Sequence, residues 1–407
     1  MESLLPNLRH LRAFCEAEGQ RSIRRAAETV GLTPSAVTQA IVKLEAAFGA
    51  AFFERAGSSV APTAAARAYA VRVRRALGLI EEGMGESLRA GAGRVARPAQ
   101  EALPSVTMTQ LKAFVAAGTT SNFTLAARLV GSSQPSVHRS TRELESIAGV
   151  LLYEKTTRGI ALTRAGQALW QHLKLAFSEL GQGVADVAAS QGQRVGTIVV
   201  GCMPLVRHFV LPETINAYCA RWPRTNIQVV DSPYRDLLHG LRHGDIDFLV
   251  GALRHPPPVD DVLQEPLFSA ALCIAARRGH PLAARRKLTL HDLASHPWVL
   301  PPAGTPTRQK FERLMADAPE AGLHGQVESS SQILVRGLLL GSDRLTLISR
   351  QQVQFEIDAG QLVALDFDMG DTLREIGLTF RKDWRPTAVQ MDFLQTLRGA
   401  ARHHAEI

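Results

Sequence analysis

The fold is decided by the stretch TLAARLVGSSQPSVHRSTRELE at residues 124–145, because a second version of it, RRAAETVGLTPSAVTQAIVKLE, occupies residues 24–45. The two versions are 100 residues apart, and matches hold this offset without a gap from Leu11/Leu111 to Thr63/Thr163. A solenoid would need a shorter period and at least three copies. The repeat therefore indicates a duplicated domain, whose members we call copy one and copy two.

Each copy predicts two short helices joined by a tight turn. Apolar residues recur at helical spacing, and the second helix ends at Gly31 or Gly131, a residue type that readily adopts the left-handed conformation after a helix. A capping residue such as Thr33 then starts the third helix. Downstream, alternating apolar and polar residues flank a turn that contains Gly159, which predicts a two-stranded wing. This order is typical of a helix-turn-helix with a wing.

Both copies resemble the winged helix-turn-helix domain of LysR-type transcriptional regulators, over about residues 5–65 and 105–165. Copy two carries the resemblance through Phe123-Thr-Leu-Ala-Ala-Arg, Ser133-Gln-Pro-Ser-Val-His-Arg and Leu162-Thr-Arg-Ala-Gly. Copy one matches through Leu32-Thr-Pro-Ser-Ala-Val-Thr-Gln and departs at the wing, where Ser58 replaces the family's arginine. The family usually has one such domain. The resemblance implies an α/β multidomain protein with two tandem all-α winged helix-turn-helix domains.

The third helices and the wing supply the candidate DNA-binding residues. Gln can pair with adenine and Arg with guanine through two hydrogen bonds, whereas Ser and Thr mostly contact phosphate. An alternative is that these are solvated polar faces, and copy one is alternatively a degenerate reader that docks on copy two or touches only the DNA backbone. The candidates are Thr33, Ser35, Thr38, Gln39 and Lys43 in copy one, and Gln134, Ser136, His138, Arg139, Arg142 and the wing residue Arg158 in copy two.

A long helix is predicted after each copy. From Ala165 to Val187, apolar residues recur in a near-heptad stripe that suits a coiled-coil seam. The family resemblance implies that this linker helix dimerises; the alternative is packing on its own domain. Residues 64–88 predict a similar helix after copy one, followed by a Gly-rich connector up to Pro98.

Alternating strands and helices begin at Gly196 and predict a parallel sheet covered on both faces. This half resembles the effector-binding domain of the same regulators, which is similar to type 2 periplasmic solute-binding proteins and has two lobes. The expected domains are 5–65, copy one; 66–103, helix and connector; 104–164, copy two; 165–192, linker helix; and 195–407, effector domain, with lobe I at about 195–272 and 376–407 and lobe II at about 273–375.

The effector cleft is expected at the carboxyl ends of strands, where loops and helix N-termini present free N–H groups to an anion. Three loops rich in small and hydroxyl residues fit this position, and helix capping is the alternative explanation for their Ser and Thr residues. The candidate effector-binding residues are Met203, Gly251, Thr305, Arg308 and Ser330.

Composition narrows the class of protein. The chain has 407 residues, 45% of them apolar, which is too apolar for a disordered chain, and no apolar run is long enough to span a bilayer. Residues 1–12 lack a basic stretch followed by an apolar core, so we expect no secretion through a signal peptide. Residues 1–194 hold 23 Lys/Arg against 15 Asp/Glu, whereas the remainder is neutral, so the basic charge lies in the repeated half. The four cysteines and the histidines lack zinc spacing, which predicts reduced thiols in the cytoplasm and no metal or other cofactor.

These features together predict a LysR-type transcriptional regulator rather than an enzyme, since the sequence has no nucleophile elbow, phosphate-binding loop or HExxH helix. The expected partners are double-stranded DNA, a small and anionic effector, and further copies of the chain as a homodimer or homotetramer, without a membrane. The alternative is a small-molecule binding protein whose duplicated helical front end mediates protein contact. A helix-turn-helix fused to an enzyme is a third hypothesis, which no sequence feature supports.

Overall fold

A computed structural model describes residues 6–56, 59–91, 103–157, 159–316 and 325–405. The two copies fold alike, with every element shifted by 100 residues within one position. Copy one and its linker consist of α1 (Leu8–Gln20), α2 (Ile23–Val30), α3 (Pro34–Phe48), β1 (Phe53–Ala56), β2 (Ser59–Pro62) and α4 (Ala64–Ala90). Copy two and its linker consist of α5 (Met108–Thr120), α6 (Phe123–Leu129), α7 (Gln134–Ala148), β3 (Tyr153–Thr156), β4 (Gly159–Leu162) and α8 (Arg164–Ser190).

The third helices α3 and α7 are fixed at both ends by equivalent contacts. The hydroxyl of Thr33 accepts from the backbone N–H of Ala36 at 3.2 Å, and Ser133 caps α7 in the same way. At the other end, the carboxylate of Glu145 accepts from the backbone N–H groups of Leu152 and Tyr153. Glu45 makes the equivalent pair of bonds in copy one. Each third helix is thereby tied to the start of its wing.

Small residues allow the first two helices of each copy to approach closely. Ala26 and Ala27 are buried against Ala13 and Ala17 in copy one, and copy two uses alanines at the same positions. A larger side chain here would force these helices apart, because protein interiors are close-packed. The helix-turn-helix with a two-stranded wing is therefore confirmed in both copies.

The linker helices α4 and α8 pack against each other within the chain. They run antiparallel, since Arg72 lies against Glu179 and Asp186 while Gly83 lies against His172. The apolar stripe of α8 is largely buried in this pairing. The sequence analysis predicted this stripe and gave two candidate partners for it, a second chain or the helix's own domain. The observed partner is α4 of the same chain. The connector at residues 92–102 lies outside the described residues.

The C-terminal half contains two five-stranded sheets, one in each lobe. The strands of lobe I, in the order β6-β5-β7-β14-β8, are β5 (Gly196–Cys202), β6 (Thr225–Asp231), β7 (Phe248–Ala252), β8 (Val262–Ala270) and β14 (Arg374–Arg381). The strands of lobe II, in the order β11-β10-β12-β9-β13, are β9 (Leu272–Arg277), β10 (Trp298–Leu300), β11 (Val327–Glu328), β12 (Leu345–Ser349) and β13 (Leu362–Ala364). The covering helices are α9 (Val210–Arg221), α10 (Tyr234–Arg242), α11 (Leu290–Ala294), α12 (Pro306–Met315), α13 (Gln332–Leu340), α14 (Gln354–Asp358) and α15 (Ala388–Ala405).

Both sheets are mixed, so the expectation of a parallel sheet was wrong. β14 runs antiparallel to β7 and β8, and β9 runs antiparallel to β12 and β13. The reason is connectivity: the chain crosses from β8 into β9 at residue 271 and returns to lobe I between β13 and β14. These crossings bring strands into each sheet without the helical crossover that keeps neighbouring strands parallel.

The sequence analysis did not predict β8, because Pro266 interrupts its pattern. β8 is an edge strand, where proline is tolerated since one side of the backbone has no ladder to join. Opposite this point the register shifts between Ile376 and Gly377. A Cβ on Gly377 would lie 2.1 Å from the carbonyl oxygen of Glu265, so only glycine fits there.

Lobe I docks on the helix pair. The ring of Trp170 on α8 lies 5.0 Å from that of His243, and the amide of Gln182 donates to the Asp247 carboxylate at 3.3 Å. From α4, Arg75 reaches both the backbone carbonyl of Asp383 and the carboxylate of Glu179. The effector domain thus contacts linker helices from both copies.

Candidate nucleic-acid interface and effector cleft

The outer face of α7 carries the copy-two candidates. Arg139 is exposed, and its guanidinium has no hydrogen-bond or ion-pair partner among the described residues. Arg142 is exposed but paired with Glu145 at 3.0 Å. His138 packs edge-on against Phe123, with ring centroids 5.2 Å apart. Arg139 is therefore the most available cation of this face.

Two further copy-two candidates sit at the N-terminus of α7. The side-chain oxygen of Gln134 accepts a hydrogen bond from the Thr124 hydroxyl at 3.1 Å, which links the second and third helices. Ser136 is half-buried, and its hydroxyl lies 2.9 Å from that of the capping residue Ser133. The wing candidate Arg158 lies outside the described residues. Lys155, an exposed cation on β3, was not singled out from the sequence, although the wing pattern contains it.

In copy one, all five candidates are exposed on α3 or at its cap. The Thr33 hydroxyl caps the helix, and the Thr38 hydroxyl donates to the backbone carbonyl of Pro34 at 2.9 Å. Ser35, Gln39 and Lys43 lie on the same solvent-facing surface. This surface does not form the seam with copy two, which is made by α4 and α8.

Met203 and Gly251 lie together in lobe I. The backbone N–H of Met203 donates to the carbonyl of Val250 at 3.0 Å, and a Cβ on Gly251 would lie 2.2 Å from the Met203 methyl group. Gly251 is buried, and only a residue without a Cβ leaves room there for the Met203 side chain. The two residues form an apolar wall at the carboxyl ends of β5 and β7.

The lobe II candidates are differently placed. Thr305 caps α12, its hydroxyl accepting from the Arg308 backbone N–H at 3.3 Å. The guanidinium of Arg308 is paired with Glu312 and Glu328 at 2.9 and 3.2 Å, so two carboxylates already satisfy the charge expected to bind an anion. Ser330 is exposed in the loop before α13.

Arg374, which the sequence analysis missed, is a half-buried residue whose guanidinium has no carboxylate partner among the described residues. It starts β14, where the chain re-enters lobe I, and it donates to the hydroxyls of Thr307 (2.7 Å) and Ser349 in lobe II. Its Nε is buried and finds no hydrogen-bond partner in the described structure. Burial lowers the pKa of Arg374 to about 10. No motif surrounds this residue in the sequence, so no signal there could have selected it.

The arrangement can be compared with known proteins. A model described as the LysR substrate binding domain matches residues 191–402, and one described as bacterial regulatory helix-turn-helix protein, lysR family, matches twice, at residues 8–67 and 108–167. The chain belongs to the LysR family. It is a DNA-binding transcriptional regulator with a substrate-binding domain in its C-terminal half.

Individual relatives agree with this assignment. The chain is 35% identical to the HTH-type transcriptional regulator GalR of Pseudomonas putida over 377 residues, covering 93% of each chain. It is 28% identical to the HTH-type transcriptional regulator PcaQ of Agrobacterium fabrum, over 72% of this chain and 94% of PcaQ. A solved full-length OxyR variant from Pseudomonas aeruginosa shares the fold, with 21% identity and a TM-score of 0.52 over 72% of this chain and 94% of that one.

The share of this chain that is covered differs between the two curated relatives. PcaQ aligns over nearly its whole length and leaves more than a quarter of this chain unmatched, close to the 100-residue period of the repeat. The GalR alignment has no such remainder.

Two negative findings apply to the described parts of the chain. They contain no helix long and apolar enough to cross a membrane. They also contain no group of three or more His, Cys, Asp or Glu side chains arranged to hold a metal ion.

Proposed function

We propose that this LysR-family regulator binds operator DNA through the outer faces of α3 and α7 and that a small anionic effector between the two lobes modulates this binding. The exposed Arg139 guanidinium in the second turn of α7 is the observation that carries the DNA contact. Arg is the side chain that most often reads guanine in the major groove. Because a transcriptional regulator must reach chromosomal DNA, we also propose a cytoplasmic location.

Replacing Arg139 with alanine tests the DNA contact. If Arg139 reads a base, the variant loses about 1–3 kcal/mol of discrimination between the operator and a sequence changed at that base pair. Fluorescence anisotropy with labelled duplexes measures this difference at several salt concentrations, since phosphate contacts make affinity salt-dependent. Arg313→Ala is the matched control, because Arg313 is equally an exposed arginine on a helix but lies in lobe II. An equal loss on operator and random DNA would make Arg139 a phosphate contact instead.

Arg374 is the observation that supports an anionic effector. The guanidinium of Arg374, whose Nε has no hydrogen-bond partner in the described structure, offers a charge-assisted hydrogen bond to a carboxylate or similar group. The hydroxyls of Thr307 and Ser349 lie beside this guanidinium, and Thr305 caps α12, the helix that contains Thr307. A ligand bound here would contact Arg374 of lobe I and hydroxyl groups of lobe II at the same time. A ligand shifts a conformational equilibrium only by its difference in affinity for the two states.

The effector proposal is tested by thermal shift of the full chain with acetate, succinate and benzoate as probes. A ligand present at 100 times its Kd stabilises the folded state by about 2.7 kcal/mol. We expect at least one acid to raise the melting temperature of the wild type and to have no such effect on Arg374→Gln. An acid that stabilises both proteins equally would place the site elsewhere. Arg336→Gln, on the lobe II surface, controls for loss of an arginine.

We further propose that chains self-associate into a homodimer or homotetramer through surfaces other than the seam of α4 and α8, because that seam is filled within one chain. The absence of enzymatic activity remains part of the proposal. The alternative, a small-molecule binding protein whose front end contacts protein, would be favoured if no genomic fragment were protected in footprinting at low salt.

A further inference from the structure

The seam between α4 and α8 has internal twofold pseudosymmetry. A Cβ on Gly83 would lie 2.6 Å from the Cβ of His172, and a Cβ on Gly183 would lie 2.7 Å from the ring of Tyr69. The neighbours of Gly83 are residues 169 and 172, and those of Gly183 are residues 69 and 72, so the contacts repeat at the 100-residue offset. The two copies are therefore related as two subunits of an antiparallel helical dimer would be.

The polar contacts of the seam show that the two sides have diverged. Arg72 is 1% exposed and donates to Glu179 at 2.8 Å and to Asp186 at 2.6 Å. The equivalent residue on the other side is His172, which faces Glu86 at 3.5 Å. If two α8 helices from different chains paired instead, a histidine would replace the arginine that satisfies these carboxylates. A buried ion pair that lacks one partner is strongly destabilising, so the seam favours α4 with α8.

Chain connectivity also favours pairing within one chain. Gly91 follows α4 directly and packs against copy two, since a Cβ there would lie 2.9 Å from Val150 and 3.3 Å from Ala165. At Leu103 the described chain resumes, and the Leu103 carbonyl accepts from Arg12 of copy one. One end of the connector thus lies beside copy two and the other end beside copy one. A short connection gives the second copy an effective concentration of order millimolar.

The pairing sets the spacing of the two helix-turn-helix domains, since each domain leads directly into the N-terminal end of its linker helix. α4 and α8 each have 27 residues, and their antiparallel overlap puts their N-terminal ends about 40 Å apart at a rise of about 1.5 Å per residue. This is close to the roughly 34–36 Å between successive major grooves on one side of B-DNA. A twofold axis perpendicular to the helices keeps α3 and α7 on the same side of the pair, as two successive grooves require.

The two reading faces are not the same. Gln39 of copy one corresponds to Arg139 of copy two, and Lys43 corresponds to Glu143. Gln pairs preferentially with adenine and Arg with guanine. We propose, building on the DNA-binding function proposed above, that a single chain reads an operator composed of two unlike half-sites, with Gln39 specifying one half and Arg139 the other.

The test is selection of bound duplexes from a random library by the full-length wild type, followed by the variants Gln39→Ala and Arg139→Ala. We expect a non-palindromic site in which each variant relaxes one base position in one half only, by about 5- to 150-fold in discrimination. Gln39→Arg is expected to shift its half towards guanine. All three substitutions are at two exposed positions, so we expect folding to be retained, and circular dichroism checks this. Arg313→Ala is the control.

Native mass spectrometry at increasing concentrations of a duplex that holds one selected site gives the stoichiometry, and we expect saturation at one duplex per chain, since each chain of the proposed homodimer or homotetramer reads a whole site. A palindromic site whose two halves both relax in Arg139→Ala, with Gln39→Ala silent and saturation at one duplex per two chains, would overturn the inference while leaving DNA binding intact. Enrichment of no sequence by the wild type would instead refute the proposed function.

Discussion

Replacing Gly83 with alanine measures how closely α4 and α8 must approach. The new Cβ would lie 2.6 Å from the Cβ of His172, an atom fixed to the backbone of α8, so the helices must separate by about 1 Å to restore van der Waals contact. Overpacking of this kind costs about 1–3 kcal/mol. Alanine also gains about 1 kcal/mol in helix propensity over glycine, which partly hides the cost.

Gly78→Ala separates these two effects. Gly78 lies on the same helix, and a Cβ there would meet nothing within 4 Å, so this variant gains the propensity without the clash. The difference in unfolding free energy between the two variants therefore isolates the close contact, and we expect Gly83→Ala to be less stable than Gly78→Ala by about 1–3 kcal/mol. Hydrogen exchange of peptides from α4 and α8 measures local opening of the pair in the full chain. Equal protection in the two variants would refute the close approach of the helices.

Three further predictions concern buried groups. Arg72→Met should destabilise the seam by about 3 kcal/mol, since it leaves the half-buried Asp186 carboxylate without its partner and removes one of the two arginines paired with Glu179. Arg74→Met, which breaks a surface ion pair, should cost less than about 1 kcal/mol in denaturant titrations; similar losses for the two variants would contradict this. Burial lowers the pKa of His243 below its usual value of 6.5. The unfolded chain therefore binds a proton at this residue more readily than the folded chain, and the stability of the fold decreases as the pH falls through 6.5. His243→Asn should flatten this part of the curve of melting temperature against pH. Burial raises the pKa of the Cys15 thiol to about 12, so iodoacetamide should modify the half-buried Cys219 first in peptide mapping, and early labelling of Cys15 would argue against its burial.

Much of the fold could be predicted from the sequence because the repeat supplies two views of one domain. The offset of 100 identified the turns at Gly31 and Gly131, the capping residues and the wings, all of which depend on local chemistry. Local signals also predicted both linker helices. The partner of α8 could not be predicted, because an apolar stripe shows that a face is buried without identifying the surface that covers it.

The effector domain was less predictable for similar reasons. Strand direction depends on where the chain crosses between lobes, and Pro266 concealed an edge strand. At the cleft, Arg308 carried the expected charge but is paired with two glutamates, whereas Arg374 lies beside two hydroxyls that are remote in sequence. Which arginine lacks a carboxylate is a property of tertiary packing. The assignments of the DNA-contacting and effector-binding residues stay predictions.

Covalent connection of the two copies changes how the regulator responds to dilution. A reading unit assembled from separate subunits dissociates when its cellular abundance falls below the dissociation constant of the pair, and its occupancy on a promoter then depends on the square of subunit abundance. Because Arg72 and its carboxylate partners belong to one polypeptide, the pair of helix-turn-helix domains does not separate on dilution. If one such pair reads the operator, as proposed above, the abundance of reading units rises in simple proportion to expression.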